Sequence, residues 1–308
     1  MNPDNGFTQY IAAGLDRHPD FRVLRRLPSF ANSGATPGAD EIATWKHGII
    51  LDTETEGLED ADKVVEFGLK PFSFDRYGKI TWAGSAVSFL EDPGKPLSQE
   101  VKRVTGLTDE MLAGKKFDDT RITEIVNGAA IVISHNARFD RPKAERRLPF
   151  LADKHWACSM DLIDWRAMGC PSASLPCIAW ALGYFYDAHR ADSDCDALLS
   201  LLTVMQGGCS TDPLGQYGGL PIILENARKP TYRVWAVNSS FDCKDALKGR
   251  GYKWHDGNKG RAKSWYLDIA DEGLANFELE WLRERKFSAN PDCTAFTSKD
   301  RYTERTLK

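Results

Sequence analysis

Four carboxylates and one histidine hold the chemistry most readily read from this chain. Asp52 and Glu54 lie in Ile49-Ile50-Leu51-Asp52-Thr53-Glu54-Thr55-Glu56-Gly57-Leu58, Asp140 closes Ser134-His135-Asn136-Ala137-Arg138-Phe139-Asp140, and Asp194 follows His189 by five residues. Each acid ends an apolar run or lies on an apolar face, where an unpaired charge is costly. A shared divalent cation is the usual compensation for clustered carboxylates, and phosphate hydrolysis is the chemistry such clusters usually perform.

The elements that must position them follow from patterning. Ile49-Ile50-Leu51 is a short continuous apolar run and reads as a buried strand. Alternation then places Ile50, Asp52 and Glu54 on one face, with the two carboxylates about 7 Å apart along the strand. Ligands of open α/β sheets gather beyond the carboxyl ends of strands, where this pair falls. Asp140 follows a predicted strand, Ala129–Ser134, and precedes Pro142, which reads as opening a helix to Leu148. Helix capping is the ordinary use of such an aspartate and is compatible with metal ligation. Leu198, Leu201 and Met205 follow Asp194 at helical spacing, so Asp194 shares their core-facing stripe while Asp192 and Asp196 point elsewhere. A carboxylate there is protonated or compensated by a cation. His189 precedes that helix in a loop, able to hover over the same site.

Taken together, Asp-x-Glu, His-Asn-x-x-Phe-Asp and His-x-Ala-x-x-Asp occur here in order, and the chain resembles the DEDDh family of 3′–5′ exonucleases, the group of the bacterial DNA polymerase III proofreading subunit. The resemblance covers about residues 47 to 206. It extends to Val104-Thr105-Gly106-Leu107-Thr108, similar to the family's Thr-Gly-Ile-Thr segment. It implies a ribonuclease H-like α/β fold and two Mg²⁺ or Mn²⁺ ions held by Asp52, Glu54, Asp140 and Asp194. His189 is implied as the general base, a task that suits a side chain titrating near neutrality. The branch using tyrosine instead needs it four residues before the last aspartate, where Arg190 stands. Implied substrate contacts are Thr55, Gly57, Leu58, Thr105, Asn136 and Phe139, with Leu58 packing against the last base. Glu56 replaces the threonine usual in the family, and with Asp192 and Asp196 it adds negative potential near the phosphate path. The implied partner is nucleic acid with a single-stranded or frayed 3′ end, and beyond it a polymerase or repair protein. DNA hydrolysis leads; an exoribonuclease or oligoribonuclease, or a non-catalytic nucleic-acid-binding scaffold, are the alternatives. An inactive scaffold would be expected to lose one of the five site residues, and all are present.

Around these motifs the chain divides into a leader (residues 1–46), an exonuclease domain (47–208), a Gly/Pro-rich linker (209–225) and a small basic α+β module (226–308). The leader reads as a short amphipathic stretch around Phe21–Leu27 followed by a loop. The exonuclease domain reads as a meander, Ile49–Glu54, Val64–Phe74 and Ile80–Phe89, followed by alternating helices and strands. His155–Met160 forms the last strand, making a five-stranded mixed sheet flanked by helices. The module's predicted strands are Tyr232–Val237 and Ser264–Ile269, its helices Phe241–Gly249 and Glu272–Arg285; it resembles an accessory domain of some bacterial exonucleases of this group. From Asn226 onward 17 Lys and Arg stand against 12 Asp and Glu, giving +5, while the preceding residues carry 23 against 32, giving −9. An acidic part suits metal ions and a basic part a polyanion. With 42% hydrophobic and 27% charged residues, the chain reads as a folded globular protein rather than a disordered one. Its seven cysteines lack any Cys-x-x-Cys pair and read as free thiols, against zinc and for a reducing, cytoplasmic setting without signal peptide or membrane span.

Overall fold

The computed structural model describes residues 5–32, 38–59, 61–205, 218–257 and 261–307. The chain opens with helix α1 (Asn5–Asp16), strand β1 (Arg25–Arg26) and helix α2 (Ala39–Ile42). Strand β2 (Lys46–Thr55) carries Ile49-Ile50-Leu51 through the centre of the molecule, as its continuous apolar run requires. It pairs antiparallel with β3 (Val64–Phe74), followed by β4 (Ile80–Ala83) and β5 (Val87–Leu90), both paired with β3. Ile80–Phe89 is thus two strands rather than the single one expected. Ala83 faces Phe72 and Val87 faces Leu69, so three residues of the outer strand oppose two of β3. The ladder breaks beside Pro71, which has no N–H to give.

Helices α3 (Gln99–Thr105), α4 (Asp109–Leu112) and α5 (Asp119–Asn127) lead to β6 (Ile131–Ser134), parallel to β2. After α6 (Ala137–Arg147) comes β7 (Trp156–Cys158), parallel to β6, then α7 (Ser159–Leu162), α8 (Leu175–Ala181), β8 (Tyr184–Phe185) and α9 (Ala191–Val204). The mixed sheet runs β4-β3-β2-β6-β7 with β5 beside β3, an α/β ribonuclease H-like arrangement. One face packs Ile50, Phe72 and Ile133 on α8 and α9; the other packs Ile49, Leu51, Phe67 and Val132 on α5 and α6. Pro142 does not open its helix. It sits inside α6, whose start at Ala137 is set by Asn136 in the left-handed region.

The expected linker and leader differ from the structure. Helix α10 (Gly219–Arg228) replaces the end of the predicted linker, burying Leu220, Ile223 and Leu224 in the same core as α9; residues 206–217 lie outside the described ones. Arg25 and Arg26 of the leader pair in parallel with Tyr184 and Phe185, and Leu27 enters the core. The Arg22 guanidinium stacks 4.0 Å from the Trp180 ring centre and donates to the Trp180 and Ala181 carbonyls. The predicted amphipathic stretch is therefore an extended strap.

The module forms a four-stranded antiparallel sheet, ordered β10-β11-β9-β12, from β9 (Thr231–Ala236), β10 (Lys253–His255), β11 (Ser264–Ile269) and β12 (Asp292–Phe296). Helices α11 (Lys244–Gly249) and α12 (Glu272–Glu284) cover its core of Val234, Leu247, Trp265 and Leu282. The segment after β12 returns to the first sheet, where buried Arg141 of α6 donates to the carbonyls of Ser298, Lys299 and Arg301. Among the described residues no helix is long and apolar enough to cross a membrane.

Candidate active site

Asp52 and Glu54 share one face near the end of β2, and α9 brings Asp194 to them. One carboxylate oxygen from each of the three lies within 4.8 Å of the others. A close approach makes this possible. Any side chain at Gly68 of β3 would collide with the Ala191 carbonyl at the start of α9, so only glycine lets that helix end press against the sheet.

Asp140 joins from the first turn of α6. Register between β2 and β6 ends at Ile50 and Ile133, and the Thr53 N–H beyond it donates to Asp140 Oδ1 at 3.1 Å. The Thr53 hydroxyl donates to the same oxygen at 2.8 Å. Asp140 is thereby buried against the residue between Asp52 and Glu54. It sits beside the three-carboxylate group rather than within it, and its bonds are to the strand rather than to a cap of its own helix.

Electrostatics expose the strain of this grouping. Burial, then the charges of Asp140, Asp194, Glu54 and Glu66, raise the Asp52 carboxyl well above its usual range. Glu54 is pushed up to about 8 by burial and by Asp194 and Glu66. Asp140 and Asp194 are also raised by burial, against the lowering effect of their hydrogen bonds. Carboxylates that repel one another at short range, with hard oxygen donors facing inward, fit a divalent cation.

The neighbours of Asp194 are fixed by residues that sequence reasoning missed. Tyr186 donates its hydroxyl to Asp194 Oδ1 at 2.6 Å, and the His189 N–H donates to Oδ2 at 2.9 Å. His189 is exposed, with φ of 70°, so its loop holds a left-handed turn through that bond. Arg190 clamps Glu66, which faces Glu54 across β2 and β3 and is fully buried. Its Nη2 lies 2.9 Å from Glu66 Oε1, and Ser88 Oγ donates to the same oxygen at 2.5 Å. A charged residue in the otherwise apolar Val64–Phe67 run was the signal for Glu66; for Tyr186, in an irregular segment, spacing offered none.

The other predicted residues divide into two groups. Thr55 donates to the Gly57 carbonyl and shapes the loop after β2, where Leu58 stands 85% exposed. Lys143 of α6 ties that loop down by donating to the Glu59 carbonyl at 2.7 Å, and lies 4.6 Å from the Phe139 ring centre. Asn136 is exposed at the start of α6. His135 is bonded to Ser159 Oγ and to the Ala173 carbonyl, both at 2.7 Å, and braces the backbone there. Thr105 stands apart: it is buried, gives its hydroxyl proton to the Val101 carbonyl and accepts from the Leu107 N–H, a turn-building role. The anticipated excess negative potential is compensated at Glu56 and Asp196, while Asp192 accepts from the Ser193 N–H. Glu56 turns inward to Lys95 at 3.3 Å and the Lys63 N–H, while Asp196 pairs with buried Lys70 and with Ser29.

A mixed sheet with acids gathered at a strand end and an adjoining helix fits a metal-dependent nuclease. The chain matches the RNase_T exonuclease model over residues 49–202 and belongs to that family, one of DEDD 3′–5′ exonucleases. It is 27% identical over 143 residues to the PolC-type DNA polymerase III of Thermotoga petrophila, covering 46% of this chain and 9% of that protein. To the DNA polymerase III subunit epsilon of Haemophilus influenzae it is 33% identical over 101 residues, 30% of this chain and 37% of that one. The chain thus spans well under half the length of these relatives. Among solved structures, E. coli Exonuclease I in complex with a 5cy-dA13 oligonucleotide shares the fold, with a TM-score of 0.50 at 14% identity over 79% of this chain and 73% of that one.

Proposed function

We propose that the protein is a 3′–5′ exonuclease that removes nucleotides from single-stranded or frayed DNA ends, using two Mg²⁺ or Mn²⁺ ions held by Asp52, Glu54, Asp140 and Asp194. The observation that carries this reading is the approach of Asp52, Glu54 and Asp194 within 4.8 Å, with Asp140 beside them. Divalent cations held by these carboxylates would supply electrostatic stabilisation to an in-line phosphoryl displacement. His189, exposed on the loop anchored to Asp194, accepts the proton of the attacking water as general base. Tyr186 and the His189 N–H orient Asp194, and Thr53 orients Asp140. Leu58, with Asn136 and Phe139 on the α6 side, receives the terminal nucleotide. The names of the two polymerase III relatives support DNA as substrate and a polymerase as partner; a repair protein is the alternative partner.

The test offers end-labelled single-stranded DNA, DNA with a mismatched end and RNA to the purified chain, each with Mg²⁺ and with Mn²⁺. Faster shortening of DNA supports the reading; faster shortening of RNA replaces it with the exoribonuclease one. His189→Ala should lower turnover by roughly 10²–10⁴-fold while leaving Mn²⁺ binding by calorimetry intact. Loss of Mn²⁺ binding in that variant would make His189 a ligand instead of a base.

A further inference from the structure

Away from the carboxylates, the module carries a second concavity that the exonuclease chemistry does not use. Its volume is about 420 Å³, and it is lined by Ser239, Ser240, Phe241, Lys244, Lys248, Trp254 and Trp265. Trp254 and Trp265 face each other across β10 and β11, so their side chains share one face of the sheet, with ring centres 5.3 Å apart. Trp265 is nearly buried and makes a floor, while Trp254 and Phe241 are 50% and 81% exposed and make open walls. Lys244 and Lys248 lie four residues apart on α11 and therefore on one side of that helix. The Lys244 ammonium is 5.2 Å from the Phe241 ring centre. No acidic side chain is among the described lining residues; Asp242 and Asp245 lie outside the lining.

Large exposed aromatic surfaces are uncommon unless something covers them. Here flat rings stand beside two ammonium groups, the pairing of stacking surface and phosphate contact by which proteins hold single strands without reading sequence. An acidic peptide would satisfy the lysines but leave flat ring faces without a flat partner. We propose that this pocket binds single-stranded nucleic acid, a base stacking on Trp254 and Phe241 while adjacent phosphates meet Lys244 and Lys248. The proposal takes its occupant from the exonuclease reading, since both sites would then act on one polymer. The basic charge of the module from Asn226 onward has the matching sign.

The experiment measures anisotropy of a labelled oligothymidylate with the full chain in chelator, so that hydrolysis does not enter. Trp254→Ala should weaken binding about tenfold, the usual scale for one lost base stack. Lys244→Gln combined with Lys248→Gln should lower the slope of log affinity against log salt by about 1.4, two phosphate contacts on a single strand. A melting temperature equal to wild type certifies each variant, and the lysine pair, half-buried at Lys244 and exposed at Lys248, keeps the test decisive if Trp254→Ala fails to fold. Wild-type affinity and salt slope in the folded variants would overturn the proposal and leave the pocket to a protein partner. Pocket-dependent binding in a chain that never shortens a strand with metal would instead sink the exonuclease reading and spare this one.

Discussion

Asp194 is a carboxylate on the same helix stripe as buried Leu198 and Leu201, and that contradiction between charge and place is what made the site legible. Asp52 and Glu54 break the apolar pattern of β2 in the same way. Glu66 breaks that of β3, but only the register that sets it opposite Glu54 gives it meaning, and register is not written in a single strand. Tyr186 was invisible because its bond to Asp194 depends on the path of an irregular segment. The raised carboxyls have a thermodynamic consequence. Glu54 titrates near 8 in the native metal-free state and near its ordinary 4.5 when unfolded, so between those values the native state binds more protons. Stability without metal must then fall as pH rises through that interval. Melting in chelator should occur at a lower temperature at about pH 8.5 than at about pH 5, with Mn²⁺ restoring more at the higher pH. Asp52→Asn should flatten this dependence and raise the metal-free melting temperature at the higher pH. A melting temperature that rises with pH would refute the burial and mutual repulsion that raise these carboxyls.

At the scale of elements, strands and helices with clear periodicity were readable, among them β3 and α9, whereas junctions were not. The split between β4 and β5 depends on Pro71 of the neighbouring strand, and Pro142 lies within α6 because the left-handed Asn136 starts that helix five residues before it. The contact of α9 with β3 is pinned by Arg190 and Glu66, which join the His189 loop to the sheet. Arg190→Ala leaves Glu66 buried without its cation and should cost roughly 3 kcal/mol, the low end for such a loss because Arg190 is partly exposed. Adding Glu66→Gln should recover most of the stability measured by urea denaturation. Turnover should stay low, because the loop bearing His189 keeps its bond to Asp194 but loses its tie to β3. Recovery of both together would mean that the clamp serves stability alone.

The whole molecule is more integrated than its sequence divisions implied. Gly/Pro punctuation pointed to a linker up to residue 225, yet the apolar residues of α10 complete the core against α9. Punctuation reports local backbone preference and not where an amphipathic face finds its partner. The Ser298–Arg301 segment is likewise bound to α6 through Arg141. A chain ending at residue 217 would lose Leu220, Ile223 and Leu224 from that core, at about 1.5–3 kcal/mol each. Its melting temperature should therefore fall sharply, where a detachable module would leave it unchanged. For this reason the module's role is best probed by point substitutions.

The central claim is metal-dependent removal of nucleotides from a 3′ end by the Asp52, Glu54, Asp140 and Asp194 site. It is tested most directly by following a 5′-labelled single strand on a sequencing gel with Mg²⁺, in wild type and in Asp52→Asn. The account predicts a ladder shortening one nucleotide at a time from the 3′ end in wild type, abolished by chelator and nearly absent in the variant. Internal cuts without a ladder, or equal shortening by Asp52→Asn, would contradict it.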